Sequence, residues 1–267
     1  MERYKIDHDF HIHSQLSTCS SDPEQTTARI LQYAEENGFT DICLTDHFWD
    51  ETVSGASEWY QKQDYAHITQ ALPLPQGAKT RFHFGCEIDM DKFRRIGLAE
   101  KHFDRFEFVI IPTTHLHMTG FTIDESDLSL ERRAVVYVER LKALMRMDLP
   151  FEKIGVAHLT VSLMAKGEFT DHLTVLDSIP DGVFEEMFGT IAEKKAGFEL
   201  NFAIHRYEGE NLERVLRPYR IAKKCGCRFY LGSDAHHPAQ LDAARTKFER
   251  IVDALALTED EKFRVFR

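Results

Sequence analysis

The chain has 267 residues, of which 43% are hydrophobic and 29% charged, an ordinary globular composition with ample core material, 20 Phe included. Its 33 basic and 44 acidic side chains leave a net charge of −11, which excludes a general nucleic-acid or anionic-membrane binder, because both need a basic surface. No apolar run approaches the length of a bilayer span, no signal peptide is visible, and five cysteines (Cys19, Cys43, Cys86, Cys225, Cys227) without a disulfide-like spacing fit a reducing cytoplasm.

In chain order, Asp7 to His13 reads as a short strand ending in two imidazoles. Alternate residues of an extended chain face the same way, so His11 and His13 project together and can reach one ion. Asp22-Pro23-Glu24-Gln25 predicts a helix start, with Asp22 as N-cap and Pro23 at the first helical position. Ala28, Leu31 and Ala34 form its buried stripe, and Gly38 ends it. Asp41 to Thr45 is a buried strand that closes on Asp46-His47. Residues 48–80 contain Trp49 and Trp59, a helical stretch around 57–71 and a Pro-Leu-Pro-Gln-Gly turn.

Arg81 to Ile88 returns to strand, ending at Glu87 with Asp89 just beyond. Phe106 to Pro112 is the clearest strand and delivers Thr113-Thr114-His115-Leu116-His117. Leu130, Ala134, Val138, Leu141 and Met145 pattern the helix that follows. Ile154 to Ala157 is a short strand ending at His158, and residues 159–180 form either an active-site lid or a plain surface connection. A helix on Phe184, Met187 and Ile191 stops at Gly197, and Phe198 to Phe202 is a sixth strand carrying Glu199 and Asn201 ahead of His205-Arg206. Leu212 to Lys224 is helical in period, with Pro218 demanding a kink or a late start. Arg228 to Gly232 is the seventh strand, closed by Ser233-Asp234-Ala235-His236-His237-Pro238. Leu241, Ala244, Phe248, Ile251 and Leu255 give a last helix, placed at 241–258 after a core barrel over about residues 7–240.

Alternating strands and helices predict a single-domain α/β barrel, whose active-site side chains collect where the strands end. Six of the seven strands end in a metal-ligand type: His11/His13, His47, Glu87, His115/His117, His158 and Asp234/His236. Histidine and carboxylate donors with little thiolate suit zinc, manganese or iron. Seven to nine ligands exceed the capacity of one ion, so the set implies two or three divalent ions with Glu87 as a bridge. Such clusters serve hydrolysis by lowering the pKa of a water and clamping the oxygens of a phosphoryl group.

His11-Ile12-His13-Ser14, Thr45-Asp46-His47, Glu87, His115, His158 and Gly232-Ser233-Asp234-Ala235-His236 resemble, in order and kind, the motif set of the PHP (polymerase and histidinol phosphatase) family. The resemblance runs from residue 7 to about residue 240. It implies a distorted seven-stranded (β/α) barrel, TIM-like in plan, and three metal positions. The first would be held by His11, His13, Glu87 and Asp234, the second by His47 and His236, and the third by Glu87, His115 and His158. Where family members often place a further His or Asp after the first pair, this chain has Cys19, with Asp22 near enough to compete.

Asp46 is expected to orient its neighbours rather than bind metal. His117 and Arg206 are candidate substrate contacts, and His205 and His237 are candidate general acids by position. Arg94, Arg95 and Lys166 are weaker candidates for a phosphate contact. The expected activity is metal-dependent hydrolysis of a small anionic phosphomonoester, histidinol phosphate among the candidates. The alternatives are a phosphodiesterase or exonuclease, an amidohydrolase-like enzyme and a metal-stabilised structural barrel. No strand ends in Lys, which counts against the amidohydrolase reading, and the acidic charge counts against long nucleic acids.

Overall fold

The computed structural model describes residues 2–20 and 22–266. Its strands are β1 (His8–Ile12), β2 (Asp41–Leu44), β3 (His47–Phe48), β4 (Arg81–Ile88), β5 (Phe108–Pro112), β6 (Ile154–Ala157), β7 (Gly197–Leu200) and β8 (Arg228–Leu231). All pair in parallel, in the order β1-β2-β4-β5-β6-β7-β8. The two-residue β3 continues the β2 edge of β4 and sets His47 directly opposite Glu87. A bridge from Ile12 to Ala235 nearly closes the ring. The expected seven-stranded barrel is therefore present, with β3 as an addition that two residues could not signal.

Among the described residues seven α-helices surround it: α1 (Thr27–Glu36), α2 (Tyr65–Ile68), α3 (Leu130–Arg146), α4 (Asp171–Asp177), α5 (Asp181–Lys194), α6 (Gly209–Lys224) and α7 (Pro238–Ala254). Several differ from the sequence reading. Helix α1 starts four residues after Pro23, capped by the Thr26 side chain on Arg29 N, while Asp22 Oδ1 accepts from Glu24 N in a turn. Gln25 is spent elsewhere, donating to the carbonyls of His13 and Ala235 at the barrel mouth. Ile30, Tyr33 and Ala34 bury the helix, and Ala28 faces solvent. Gly38 does end the segment, at φ 68°, where a Cβ would be strained.

The helix expected over 57–71 shrinks to α2 and one 3-10 turn. Residues 159–180 hold α4, whose Leu173, Val175 and Leu176 are buried, so much of that stretch is core-bearing structure. The left-handed residue after α5 is Lys195, and Gly197 instead opens β7, where a Cβ would strike Phe263. Helix α6 begins three residues before Leu212 and continues through a buried Pro218. Helix α7 runs from 238 to 254, shorter at its end than 258.

The core has two layers. Helices pack their apolar stripes on the outside of the strands, while Phe10, Cys43, Phe108, Ile110, Ala157 and Tyr230 fill the barrel interior. The floor is closed by the chain's last segment: Phe263 joins the interior cluster, its N–H bonds Phe229 O at 2.7 Å, and the Phe266 ring stacks on His83 at 3.5 Å. With the floor plugged by aromatic rings, the opposite end, where the strands finish, is left for polar chemistry. Among the described residues no helix is long and apolar enough to cross a membrane.

Candidate metal centre

The pairing register of β1 shifts between Asp9 and Ile12, the signature of a bulge. Phe10 thereby joins the interior while Ile12 packs with the outer layer, and His11 and His13 both open onto the mouth of the barrel. There, His11 Nε2 lies 3.4 Å from both Glu87 Oε2 and Asp234 Oδ1, and His13 Nε2 lies 3.3 and 3.2 Å from the same two atoms. The two imidazole nitrogens are 3.0 Å apart. A tetrahedral set about 2.0–2.1 Å from one zinc ion would space its donors by roughly 3.3–3.4 Å, so this foursome has the size of a metal site.

Glu87 organises the rest. Its Oε1 faces His158 Nε2 at 3.4 Å and His115 Nε2 at 4.0 Å, while Oε2 also faces His47 Nδ1 at 3.0 Å. Both oxygens are buried without a hydrogen-bond donor, and so is His47 Nδ1. A buried carboxylate with neither oxygen satisfied is expensive for a protein alone and natural for one that receives cations. Among the described residues potential ligand atoms gather in four groups, each within 4.8 Å: His11, His13, Glu87 and Asp234; Glu87, His115 and His158; His13, His47 and His236; and His11, His158 and Glu199. The residues present therefore fit divalent ions.

Five of the six imidazoles are held by their other nitrogen, which leaves Nε2 free to point inward. His11 Nδ1 donates to Glu199 at 2.6 Å, His115 Nδ1 to Asp89 at 2.8 Å and His236 Nδ1 to the Asp234 carbonyl at 2.8 Å. His158 Nδ1 meets Thr114 Oγ1 at 3.0 Å. His13 Nδ1 meets Ser17 Oγ at 3.0 Å, and Ser17 in turn donates to Asp46. Asp46 also receives Ser14 N and Ser14 Oγ, so it stands behind the cluster as an anchor for His13.

The electrostatics follow from this arrangement. Burial pushes the pKa of His13 down, but Asp234 and Glu87 more than reverse that and raise it to about 9. For His11, Glu199, Asp234 and Glu87 likewise overcome burial and lift it well above its ordinary value. His236, pushed down by burial and then by the charge on His13, falls to about 4. Two residues of the cluster, His158 (φ 32°) and Asp234 (φ 54°), sit in the left-handed region, strain of the kind that accumulates at functional sites.

Cys19 is exposed and belongs to none of the four groups, although it reaches the wall of the cavity above them. Asp22 pairs with His237 at 2.7 Å on the surface, and His237 caps α7 through Ala239 N, so it is not aimed at the cluster. His117 lines the cavity over the cluster, its pKa lowered to about 4 by burial and then by His115. His205 and Arg206 line a neighbouring cavity that shares Asp234, and Arg206 lies over the Phe169 ring at 4.0 Å. Arg94 and Arg95 pair with Glu139 and Asp91 away from the cluster. Lys166 is exposed. The groups that sequence reasoning left without a role are Glu199, Asp89 and Ser17. A signal for Glu199 did exist: it sits on the only predicted strand to which no ligand was assigned.

A family model for the PHP domain matches residues 9–264. The chain belongs to the PHP domain family. Among solved structures, this PHP chain is similar to histidinol phosphate phosphatase from Lactococcus lactis, with TM-score 0.55 and 18% identity over 92% of this chain and 93% of that one. It is also similar to a probable 2-pyrone-4,6-dicarboxylic acid hydrolase from Acinetobacter baumannii, with TM-score 0.44 and 13% identity over 96% and 97% of the two chains. A third likeness, to a chain of an archaeal ribonuclease P complex, has TM-score 0.40 and 14% identity over 92% and 90%. No curated protein matches the PHP chain significantly in sequence.

Proposed function

We propose that the chain is a metal-dependent phosphoesterase that hydrolyses a small phosphomonoester. The observation that carries this reading is Glu87, buried at the barrel mouth with both oxygens unsatisfied and five imidazoles around it. PHP membership supports metal-dependent hydrolysis as the class of chemistry. The Lactococcus lactis phosphatase was solved with zinc, L-histidinol and phosphate, which supports the small-phosphate reading already raised by the motifs of this chain.

In this reading His11, His13, Glu87 and Asp234 hold one divalent ion, and Glu87, His115 and His158 a second. His47 and His236 hold a third, with His13 in reach. Bound ions would lower the pKa of the attacking water and neutralise the phosphoryl oxygens. The protein's own contribution is orientation: Glu199, Asp89, Thr114 and Ser17 fix the ring tautomers, and Asp46 holds Ser17. His117 would touch the substrate, a role supported by its position in the cavity wall and by its buried Nδ1 without a partner.

The test is phosphate release from a panel of phosphomonoesters, histidinol phosphate included, with zinc or manganese and against a chelated control. Chelator-sensitive release that is lost in His115→Ala and Asp234→Asn is the expected result. Release that survives both substitutions would remove the cluster from the mechanism.

A further inference from the structure

The cavity above the cluster has a volume of about 570 Å³, within the range of small-molecule sites. Away from the metal-ligand residues its walls combine rings and apolar chains, Trp59, Tyr60, Met118, Phe121 and Leu163, with the imidazole of His117. Trp59 stands edge-on to His47 with ring centroids 4.9 Å apart and edge-on to Tyr60 at 4.7 Å; Tyr60 continues to Phe121 at 5.6 Å. The aromatic wall therefore begins at the cluster itself. The Tyr60 hydroxyl is turned away onto Asp89, so the ring is what this side chain offers.

Among the described residues lining this cavity, the only carboxylates are Glu87 and Asp234, and there is no Lys or Arg. Both carboxylates face the imidazoles of the cluster. A second acidic group would have to be buried there with no Lys or Arg to meet it, and an ammonium would find ring faces in place of a free carboxylate, because both carboxylates are already turned to the imidazoles. An uncharged ring would bury apolar area and stack.

From this lining we propose that the group esterified to phosphate is an uncharged aromatic or aralkyl alcohol, seated on Trp59, Tyr60 and Phe121. The inference rests on the phosphoesterase reading. In the reaction the oxygen of water bonds to phosphorus as the bond from phosphorus to the alcohol oxygen breaks. The alcohol leaves with one proton of that water, giving free alcohol and inorganic phosphate.

The experiment has two arms. In the first, calorimetric titration of the protein as purified with 2-phenylethanol, indole-3-ethanol and L-histidinol reads the cavity without any turnover. The two uncharged aromatic alcohols are expected to bind at least tenfold more tightly than L-histidinol. Trp59→Ala should remove that preference and Trp59→Phe should retain most of it. Leu163→Lys, at a rim position 36% exposed, should weaken the same two alcohols in a protein that keeps its fold. In the second arm, the metal-loaded enzyme should hydrolyse the phosphate esters of those alcohols with kcat/KM at least tenfold above histidinol phosphate.

Tighter binding of L-histidinol, or a preference unmoved by Trp59→Ala and Leu163→Lys, would overturn the inference. So would faster turnover of esters with a second acidic group, which would point to the neighbouring cavity with Arg206, Lys247 and Arg250. Aromatic alcohols that bind as expected, with no phosphate released from any ester, would overturn the phosphoesterase reading while supporting the assigned ligand class.

Discussion

Glu199 reaches from β7 to the first strand, its Oε1 accepting His11 Nδ1–H at 2.6 Å while its Oε2 accepts the His158 backbone N–H at 2.7 Å. One carboxylate thus sets the ring of one candidate ligand and the backbone of another, across separations of 188 and 41 residues. Gly232 makes room for it, since a Cβ there would collide with the Glu199 carboxylate and with His11 Cβ.

Glu199→Gln keeps the shape but gives up the charge that favours the Nδ1–H tautomer of His11. Loss of a partner of this kind typically weakens metal binding by about 10–100-fold. Competition against a fluorescent chelator should show that loss for Glu199→Gln, and Gly232→Ala should reproduce it by displacing the carboxylate. Unchanged metal affinity in both variants would reduce Glu199 to a structural acid.

Cys19 stands where the family resemblance leaves a ligand position open, yet it lies outside each group of approaching donors, while His13, His47 and His236 come together. Metal content by mass spectrometry is therefore expected to be unchanged in Cys19→Ser and to fall by about one equivalent in His236→Ala. A lost equivalent in Cys19→Ser would give the thiol back its place in the second position.

The barrel and the strand-end residues were legible because both follow local rules. Apolar runs mark the strands, and in such a barrel strand ends converge wherever they occur in the chain. What supports the candidate ligands was not legible. His11 meets Glu199 and His115 meets Asp89 only after the barrel closes, and neither carboxylate has a local spacing that announces a partner. Helix α1 was misplaced because Asp22-Pro23 is a genuine start signal, whereas tertiary structure gives Gln25 to the carbonyls of His13 and Ala235 and lets Thr26 cap instead. The late start offered for Pro218 does not occur: α6 begins at Gly209 and runs through the proline with one backbone hydrogen bond missing.

Beneath the barrel, His83 lies 3.0 Å from Asp41 Oδ1 and 2.8 Å from Glu107 Oε2, with the Phe266 ring against its face and Arg81 also paired to Asp41. Burial pulls its pKa down, but the hydrogen bonds to Asp41 and Glu107 more than compensate and leave it above 6.5. A group with a higher pKa folded than unfolded stabilises the fold while protonated. Its contribution is complete below a pH of about 6.5 and disappears as pH rises through the folded value. The urea midpoint of the wild type should exceed that of His83→Asn by more at pH 5.5 than at pH 9. An equal gap at both pH values would exclude this histidine as the source.

Arg140 is completely buried on α3. It donates to the carbonyls of Thr113, Met90 and Thr122 at 3.1, 2.8 and 3.2 Å, and to Asp89 Oδ1 at 3.2 Å. Asp89 holds His115 with its other oxygen, so the guanidinium both pins the loop after β5 and neutralises the acid behind a candidate ligand. Burial lowers the Arg140 pKa to about 10, which leaves it charged at neutral pH. Arg140→Met removes the cation but leaves Asp89 and four carbonyls, that of Pro112 included, in place, and breaking a buried pair in this way costs about 3–5 kcal/mol. Asp89→Asn alone should also destabilise, but Asp89→Asn in the Arg140→Met background should cost less than in the wild type, because the acid has already lost its partner. Urea denaturation of the four proteins measures that coupling. Additive losses would show that Arg140 acts on the loop carbonyls alone and that His115 owes its orientation to Asp89 without help from α3.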